Sequence, residues 1–154
     1  MGFNLNAASM KRLEGLHHDL ICIVMQAAAI SPVQFVITEG LRSIAEQRAK
    51  VAAGKSQTML SRHITGHAID FAPIVEGKAD YSWATIFQVV DAFREAAEEL
   101  GHPIRWGGCW QIMNAPAQEM FDEYVESKRQ LHEKPFLDGV HIELPAALYP
   151  AVAK

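Results

Sequence analysis

The sequence predicts an α+β domain that spans all 154 residues. Segments with apolar residues at helical spacing alternate with short β-branched segments, and this alternation indicates the fold class. No repeat, linker or low-complexity tract divides the chain, so we expect one core and no additional binding domain. A chain of this length buries about two thirds of its unfolded surface, which suffices to hold a rigid site without disulfides.

The first half of the chain contains a series of helix and strand signals. They predict a short helix capped by Ser9 and ending at Gly15, a helix from Leu16 to the Ser31-Pro32 break, a strand from Gln34 to Thr38, and a helix from about Ser43 to Gly54. The loop 55–61 leads into a core strand from His67 to Phe71. This assignment places Asp70 near the end of that strand and His63 on the loop before it.

The second half continues the alternation after a turn at residues 76–78. The predicted elements are an amphipathic helix from Trp83 to Leu100 that Gly101 ends, a strand from Ile104 to Trp106, a helix from Pro116 to Leu131, and a strand from Gly139 to Leu144 that carries His141. The last strand would therefore place His141 in the same sheet as the strand that carries Asp70.

Composition excludes several classes of partner. The net charge of -4 and the absence of a Lys/Arg cluster argue against nucleic acid. No run approaches the ~20 apolar residues of a membrane span, so we expect no stable membrane insertion. The start, residues 1–6, lacks a basic segment and an apolar run, so we expect synthesis in the cytoplasm without a signal peptide. Cys22 and Cys109 are expected to be small buried hydrophobes.

Three residues from separate segments have the chemistry of an open zinc site. His63 and Asp70 stand seven residues apart around a glycine, and His141 lies far downstream. Two imidazoles and one carboxylate leave the fourth tetrahedral position to water or substrate, as in catalytic rather than structural zinc sites. Zn2+ is therefore the expected cofactor. Asp138, three residues before His141, is the natural general base in the same pocket.

The remaining histidines are expected to be structural or surface residues. His67 needs separate treatment because it is four residues after His63. His67 and Asp70 are three positions apart, and residues an odd number of positions apart on a strand face opposite sides. Both side chains therefore cannot readily reach one metal ion. We therefore exclude His67 from the predicted ligand set.

The sequence around these residues resembles a family of zinc peptidases that cut peptidoglycan stem peptides. The motif Ser-x-His-x-x-Gly-x-Ala-x-Asp at 61–70, followed by Asp-x-x-His at 138–141, resembles the D-Ala-D-Ala carboxypeptidases and dipeptidases and the phage L-alanyl-D-glutamate endopeptidases. Segments 38–43, 46–47 and 105–110 follow the order and approximate spacing of the phage-type branch. The resemblance covers about residues 13 to 144.

This chain departs from the phage-type pattern in three places. Cys109 replaces the aspartate of Trp-Gly-Gly-Asp-Trp, and Val140 replaces the proline before the last histidine. The segment 111–137 is also long for its place, and we expect it to form an extra helix beside the cleft. Neither Cys109 nor Val140 stands at a ligand position of the family.

The resemblance implies a fold and roles for individual side chains. The expected fold is a small antiparallel sheet that bears the zinc site and is flanked by helices, as in D-Ala-D-Ala peptidases and the hedgehog signalling domain. From the residues alone Arg42 could be a solvated surface charge, but the matching arginine of the family polarises the scissile carbonyl or holds substrate. Glu143 either orients a ligand or forms an edge salt bridge. Trp110 is expected in the cleft and Trp106 in the core.

The predicted function is zinc-dependent hydrolysis of peptidoglycan stem peptides at the L-Ala-D-Glu bond. Asp138 takes the proton from water, and Arg42 helps to stabilise the charge on the carbonyl oxygen. The alternatives are a D-Ala-D-Ala carboxypeptidase or dipeptidase, and a zinc-binding interaction domain without activity. We expect a monomer that reaches the cell wall in the periplasm through a holin-like pore or an export protein, without a wall-binding domain.

Overall fold

Short antiparallel strands build the sheet of this computed structural model, which describes residues 2–56 and 61–151. The helices are α1 (Ala7–Arg12), α2 (His18–Ile30), α3 (Ile44–Ala52), α4 (Trp83–Leu100) and α5 (Ala117–Gln130). The strands are β1 (Gln34–Glu39), β2 (Ala68–Val75), β3 (Lys78–Ala79), β4 (Arg105–Trp106), β5 (Gln111–Ile112) and β6 (His141–Glu143). Their order is β1-β2-β6-β4-β5, and β3 pairs with β2. This arrangement confirms the predicted α+β class with an antiparallel sheet flanked by helices.

The alternation of side chains along the strands separates a core face from a polar face. In the register, Ile69 lies opposite Ile142, and Asp70 lies opposite His141. Successive strand residues point to opposite faces, so the two isoleucines share one face and the two polar residues share the other. The central strands therefore supply the core and the candidate site at the same time.

Helix α4 packs on the core face of the sheet, and α2 packs against α4 and contributes to the same core. Phe93 of α4 packs against Phe35 and Phe71, with ring centroids 5.1 and 5.4 Å away. All three rings are fully buried, and burying a side chain of this size contributes about 1.5–3 kcal/mol. Within the described ranges, no helix is long and apolar enough to cross a bilayer.

A β-bulge near the end of β1 changes which side chain faces the polar side. Ile37 pairs with Phe71, but the next pair is Glu39 with Asp70, so the register skips Thr38. Such an extra residue re-aims the side chains that follow it. The bulge thus brings Glu39 to the same face as Asp70.

Several element boundaries differ from those predicted. The cap of α1 is Asn6, whose side chain accepts from the backbone of Ser9, so the predicted cap at Ser9 is wrong. Asp70 is the third residue of β2, which continues to Val75, so it lies near the start and not the end of its strand. The two-residue strands β3 and β5 were not predicted, because so short a segment has no periodicity. The middle of the predicted loop 55–61 lies outside the described residues.

Ser9 has a different role, at the edge of the sheet. Its buried hydroxyl oxygen accepts a hydrogen bond from the backbone N–H of Ile37 at 2.9 Å. Arg12 donates to the carbonyl of the same residue at 3.2 Å. Helix α1 therefore satisfies the outer backbone groups of edge strand β1, which would otherwise remain open to pairing with another chain.

Replacing Ser9 with Ala should lower the free energy of unfolding by about 1–3 kcal/mol, because the buried N–H of Ile37 loses its acceptor. Urea denaturation measures this change. The control is Ser127→Ala, which removes an exposed hydroxyl on α5 and should change stability by less than about 0.5 kcal/mol. Equal effects of the two substitutions would contradict the role assigned to Ser9.

Candidate metal and catalytic site

Three potential ligand atoms converge on the polar face of the sheet. Nε2 of His63 lies 3.2 Å from Oδ1 of Asp70, and Nδ1 of His141 lies 3.3 Å from the same oxygen. The three atoms lie within 4.8 Å of one another and could hold a metal ion. Asp70 and His141 come from paired strands, whereas His63 comes from the loop before β2.

The second nitrogen of each histidine ring is held by an oxygen acceptor. Nδ1 of His63 lies 2.9 Å from the carbonyl oxygen of Gly40, and Nε2 of His141 lies 2.8 Å from Oε1 of Glu143. A carbonyl or carboxylate oxygen accepts hydrogen bonds, so these ring nitrogens carry the hydrogens. Without a metal ion, a protonated ring donates to Asp70 through its other nitrogen; in a neutral ring, that nitrogen has a lone pair that it can direct toward a bound cation. Three acceptors facing one another fit a cation at their centre.

The electrostatics of the cluster also favour positive charge at this point. Burial alone would raise the pKa of Asp70, but its contacts with His141 and His63 hold that pKa below the ordinary value. Burial alone would lower the pKa of His141, but hydrogen bonds with Asp70 and Glu143 raise it to about 9. Both shifts indicate that the surroundings stabilise the carboxylate and a cation beside it.

The loop that carries His63 is attached to the segment after β1. In addition to the ring contact with Gly40, the backbone N–H of Arg42 donates to the carbonyl of His63 at 3.0 Å. A Cβ at position 40 would lie 2.1 Å from the carbonyl oxygen of Arg12, so this position accommodates only glycine. The close approach of α1 to Gly40 therefore helps to fix His63.

Arg42 is a buried, fixed residue of the cleft and not a solvated surface charge. Its side chain is 5% exposed, and its Nε donates to Glu39 at 2.6 Å. Nη1 donates to Gln47, and Nη2 lies 3.7 Å from Oδ2 of Asp70. The guanidinium is thus fixed beside the three ligand atoms. Glu39 was not among the predicted site residues, because the orientation of its side chain depends on the bulge.

Asp138 lines the same cavity, which has a volume of about 750 Å³. Its backbone N–H donates to the carbonyl of Gly107, and its own carbonyl accepts from the N–H of His141. Burial and the neighbouring Asp70 raise the pKa of Asp138, and the positive side chains nearby offset this only in part. A carboxyl with a raised pKa accepts a proton more readily at neutral pH.

An aromatic wall borders the cavity beside His141. The ring of Trp110 stacks on Phe136 with centroids 5.7 Å apart and lies 5.5 Å from the ring of His141. The φ angle of Trp110 is 56°, which is unusual for a bulky residue and indicates local strain. Trp106, in contrast, is fully buried in the core. Both tryptophans thus lie where the sequence analysis placed them.

Glu143 makes both of the contacts that the sequence left as alternatives. It accepts from His141 through Oε1, and it pairs with Arg105 through Oε2 at 3.3 Å. Arg105 and Glu143 are register partners on β4 and β6. Arg105 lines the cavity but had no predicted role. Adjacent residues of a strand face opposite sides, and Trp106 is buried. The sequence could therefore have placed Arg105 on the polar face.

The other sequence features of interest lie away from the ligand atoms. The ring of His67 packs beside His17 and Tyr149, with centroids 5.4 and 6.5 Å away. Cys109 is buried, and its thiol contacts Met113, so this departure from the phage-type motif lies in the core. The extra helix α5 forms as expected, but it packs on α4 through Phe121, and the segment after it reaches the cavity.

Comparisons with known proteins agree with one another. The family model for phage L-alanyl-D-glutamate peptidase matches residues 1–145. An L-alanyl-D-glutamate peptidase of Escherichia phage T5 is 36% identical over 148 residues, which cover 94% of this chain and 99% of that protein. One from Listeria phage A118 is 36% identical over 78 residues, covering 51% of this chain and 27% of that protein.

A solved structure matches over nearly the whole chain. The crystal structure of the Serratia marcescens L-Ala D-Glu endopeptidase ChiX superposes with a TM-score of 0.76 at 36% identity. The match covers 96% of this chain and 95% of that one. Sequence and backbone therefore point to the same group of proteins.

His67 should make the stability of the fold sensitive to acid. Burial, with Arg62 and His17 nearby, lowers the pKa of His67, so the unfolded chain binds the proton more readily than the folded one. The free energy of unfolding should therefore fall as pH drops below about 6.5, the ordinary value for histidine. In urea denaturation from pH 8 to 5 with a chelator present, His67→Gln should lose less stability than the wild type. Parallel curves would exclude this contribution.

Proposed function

The chain belongs to the phage L-alanyl-D-glutamate peptidase family, and from this we propose that it hydrolyses the L-Ala-D-Glu bond of peptidoglycan stem peptides. The observation that carries the proposal is the convergence of His63, Asp70 and His141 beside Arg42 and Asp138 in one cavity. A peptidase needs an activated water, an acceptor for its proton and a positive group near the carbonyl oxygen. The residues of this cavity can supply all three.

We propose that Nε2 of His63, Oδ1 of Asp70 and Nδ1 of His141 hold a zinc ion. Two neutral imidazoles and one carboxylate are a donor set that zinc accepts in catalytic sites. A zinc ion held there would polarise the scissile carbonyl and lower the pKa of a water molecule toward about 7. Gly40 and Glu143, which accept from the outer ring nitrogens, support this role by fixing the orientation of both rings.

Asp138 is the proposed general base. It would take a proton from the attacking water and deliver it to the amine nitrogen as the peptide bond breaks. The same carboxyl group would thus accept and return the proton. The raised pKa of its carboxyl suits both steps. Its position three residues before His141 keeps it beside the ligands.

Arg42 is proposed to stabilise the negative charge that develops on the carbonyl oxygen. Its contacts with Glu39 and Gln47 fix the guanidinium before substrate arrives, so little reorganisation is needed during the reaction. Arginine also keeps its charge throughout the pH range of the reaction. Arg42 thus complements the charge of the metal ion.

The purified protein should contain about one zinc ion per chain, and His63→Ala, Asp70→Ala and His141→Ala should each lose most of it, because each removes one of three protein ligands. Metal analysis after dialysis measures the content. His67→Ala is the matched control, since its ring lies beside His17, and it should keep the metal. Full zinc content in His141→Ala, or loss in His67→Ala, would contradict the ligand assignment.

Digestion of purified peptidoglycan should create new D-Glu amino termini, and Asp138→Asn should reduce the rate by about 100-fold or more, because the amide cannot accept the proton. End-group analysis identifies the cleaved bond, and zinc content and unfolding should remain close to the wild type. Loss of zinc in Asp138→Asn would make this residue a ligand or a structural support and not the base.

The products also separate the alternative functions. Release of D-Ala would indicate a D-Ala-D-Ala carboxypeptidase. A zinc-loaded wild type that is inert toward both bonds would indicate a binding domain without catalytic activity.

A further inference from the structure

The substrate of the proposed reaction carries a negative charge close to the bond that is cut. A glutamate whose amine forms that bond has two carboxyl groups, and the peptide continues through one of them. The other remains a free carboxylate within the residue on the leaving side. A protein that cuts this bond efficiently should therefore offer a fixed cation to that carboxylate.

Five lysine and arginine side chains of the described residues line the cavity, and most of them already have partners. They are Arg42, Lys50, Lys55, Arg62 and Arg105. Arg42 and Lys50 both pair with Glu39, at 2.6 and 3.5 Å. Arg42 also faces Asp70. The charges at this end of the cavity are therefore balanced by carboxylates of the protein.

Two further cations lack the geometry for fixed recognition. Arg62 donates to the carbonyl oxygens of Leu144 and Tyr149, at 3.0 and 2.6 Å through Nη2, and so holds the C-terminal segment. Lys55 is exposed, and within the described part of the chain its ammonium makes no hydrogen bond or salt bridge. Nothing there sets the direction of its flexible side chain.

Arg105 is fixed and has one edge available. Its Nε donates to the carbonyl of Trp110 at 2.9 Å, its Nη1 donates to Glu143 at 3.3 Å, and its guanidinium lies 5.1 Å from the centroid of the Trp110 ring. Among residues 2–56 and 61–151, Nη2 has no acceptor. The side chain is 38% exposed and lines the cavity.

The local charge balance also favours an incoming carboxylate. Arg105 forms a salt bridge with Glu143, and Arg62, which lines the same cavity, adds a second positive charge that attracts the same carboxylate from a longer distance. The other oxygen of Glu143 accepts from His141 and is therefore engaged. Arg105 is the register partner of Glu143, which is two residues from His141 on the same face of β6. A ligand at Arg105 would thus lie next to the candidate metal ligands.

We propose that Arg105 binds the free carboxylate of the substrate's glutamate and thereby selects an acidic residue on the leaving side of the bond. This inference rests on the proposed function. Nη2 donates to the carboxylate, while Trp110 and Glu143 hold the guanidinium in place. A substrate with a carboxamide at that position loses the charge and presents donors to the guanidinium, so it binds less well.

The test measures the cleavage of two substrates by the wild type and by Arg105→Gln. The substrates are synthetic stem peptides with L-Ala-D-Glu in which the free glutamate carboxyl is either an acid or an amide. The zinc-loaded wild type should cleave the acid about 10- to 100-fold more efficiently in kcat/KM, the range expected for a hydrogen bond to a charged group. In Arg105→Gln this ratio should fall to about one, mainly through slower cleavage of the acid.

Two further variants make the test specific. Arg105→Lys keeps the charge but loses the planar fork, so its ratio should lie between those of the wild type and Arg105→Gln. Lys55→Gln removes a cavity cation that forms no salt bridge among the described residues, and the ratio should stay at the wild-type value. Zinc content is measured for each variant, because Arg105 contacts Glu143, which holds His141.

The outcomes distinguish failure of this inference from failure of the proposed function. A wild type that cuts neither peptide defeats the proposed function. A wild type that cuts both equally, or an Arg105→Gln protein that keeps the full preference, overturns the role of Arg105 alone. Collapse of the ratio in Lys55→Gln instead would assign the carboxylate to Lys55 and not to Arg105. If Arg105→Gln loses its zinc, the wild-type ratio and Arg105→Lys decide the question.

Discussion

The register between β2 and β6 is the constraint on which the site depends. Ile69 opposite Ile142 fills the core, and Asp70 opposite His141 forms the candidate metal site on the other face. A slip of one residue would move the carboxylate into the apolar core and the isoleucine into the cavity. The packing of α4 against the core face therefore also helps to maintain the distance between Asp70 and His141. Stability and function share the same strand pairing in this protein.

Much of this architecture could be predicted from local sequence. The helical spacing of apolar residues gave α2 and α4, and the motif around residues 61–70 and 138–141 identified the family and the residues that converge. Confirmation of the family came from matches over nearly the whole chain. The ligand identities and the roles of Asp138 and Arg42 remain proposals that the geometry supports.

The features that could not be predicted depend on contacts between distant segments. The bulge that skips Thr38 is set by pairing with β2, and it decides that Glu39 faces Arg42. Ser9 looked like a helix cap because its residue type suits one, but its hydroxyl serves the backbone of a strand 28 residues away. Propensity rules describe neighbours along the chain, so they cannot assign such a partner. The contact of Arg105 with Glu143 could not be predicted either, because it depends on the pairing of β4 with β6.

The short connection between Asp138 and His141 has a mechanical consequence. Both residues lie on one segment, tied by the hydrogen bond from the N–H of His141 to the carbonyl of Asp138 and locked onto Gly107 by two further backbone hydrogen bonds. A Cβ at Gly107 would come within 2.2 Å of the Asp138 carbonyl oxygen, so the two backbones are in van der Waals contact. Because these hydrogen bonds tie the two residues together, we expect Asp138, the proposed base, and His141, the proposed ligand, to move together. If the cavity widens or narrows to admit a substrate, the distance between these two residues should therefore change less than their distance from the residues on other elements.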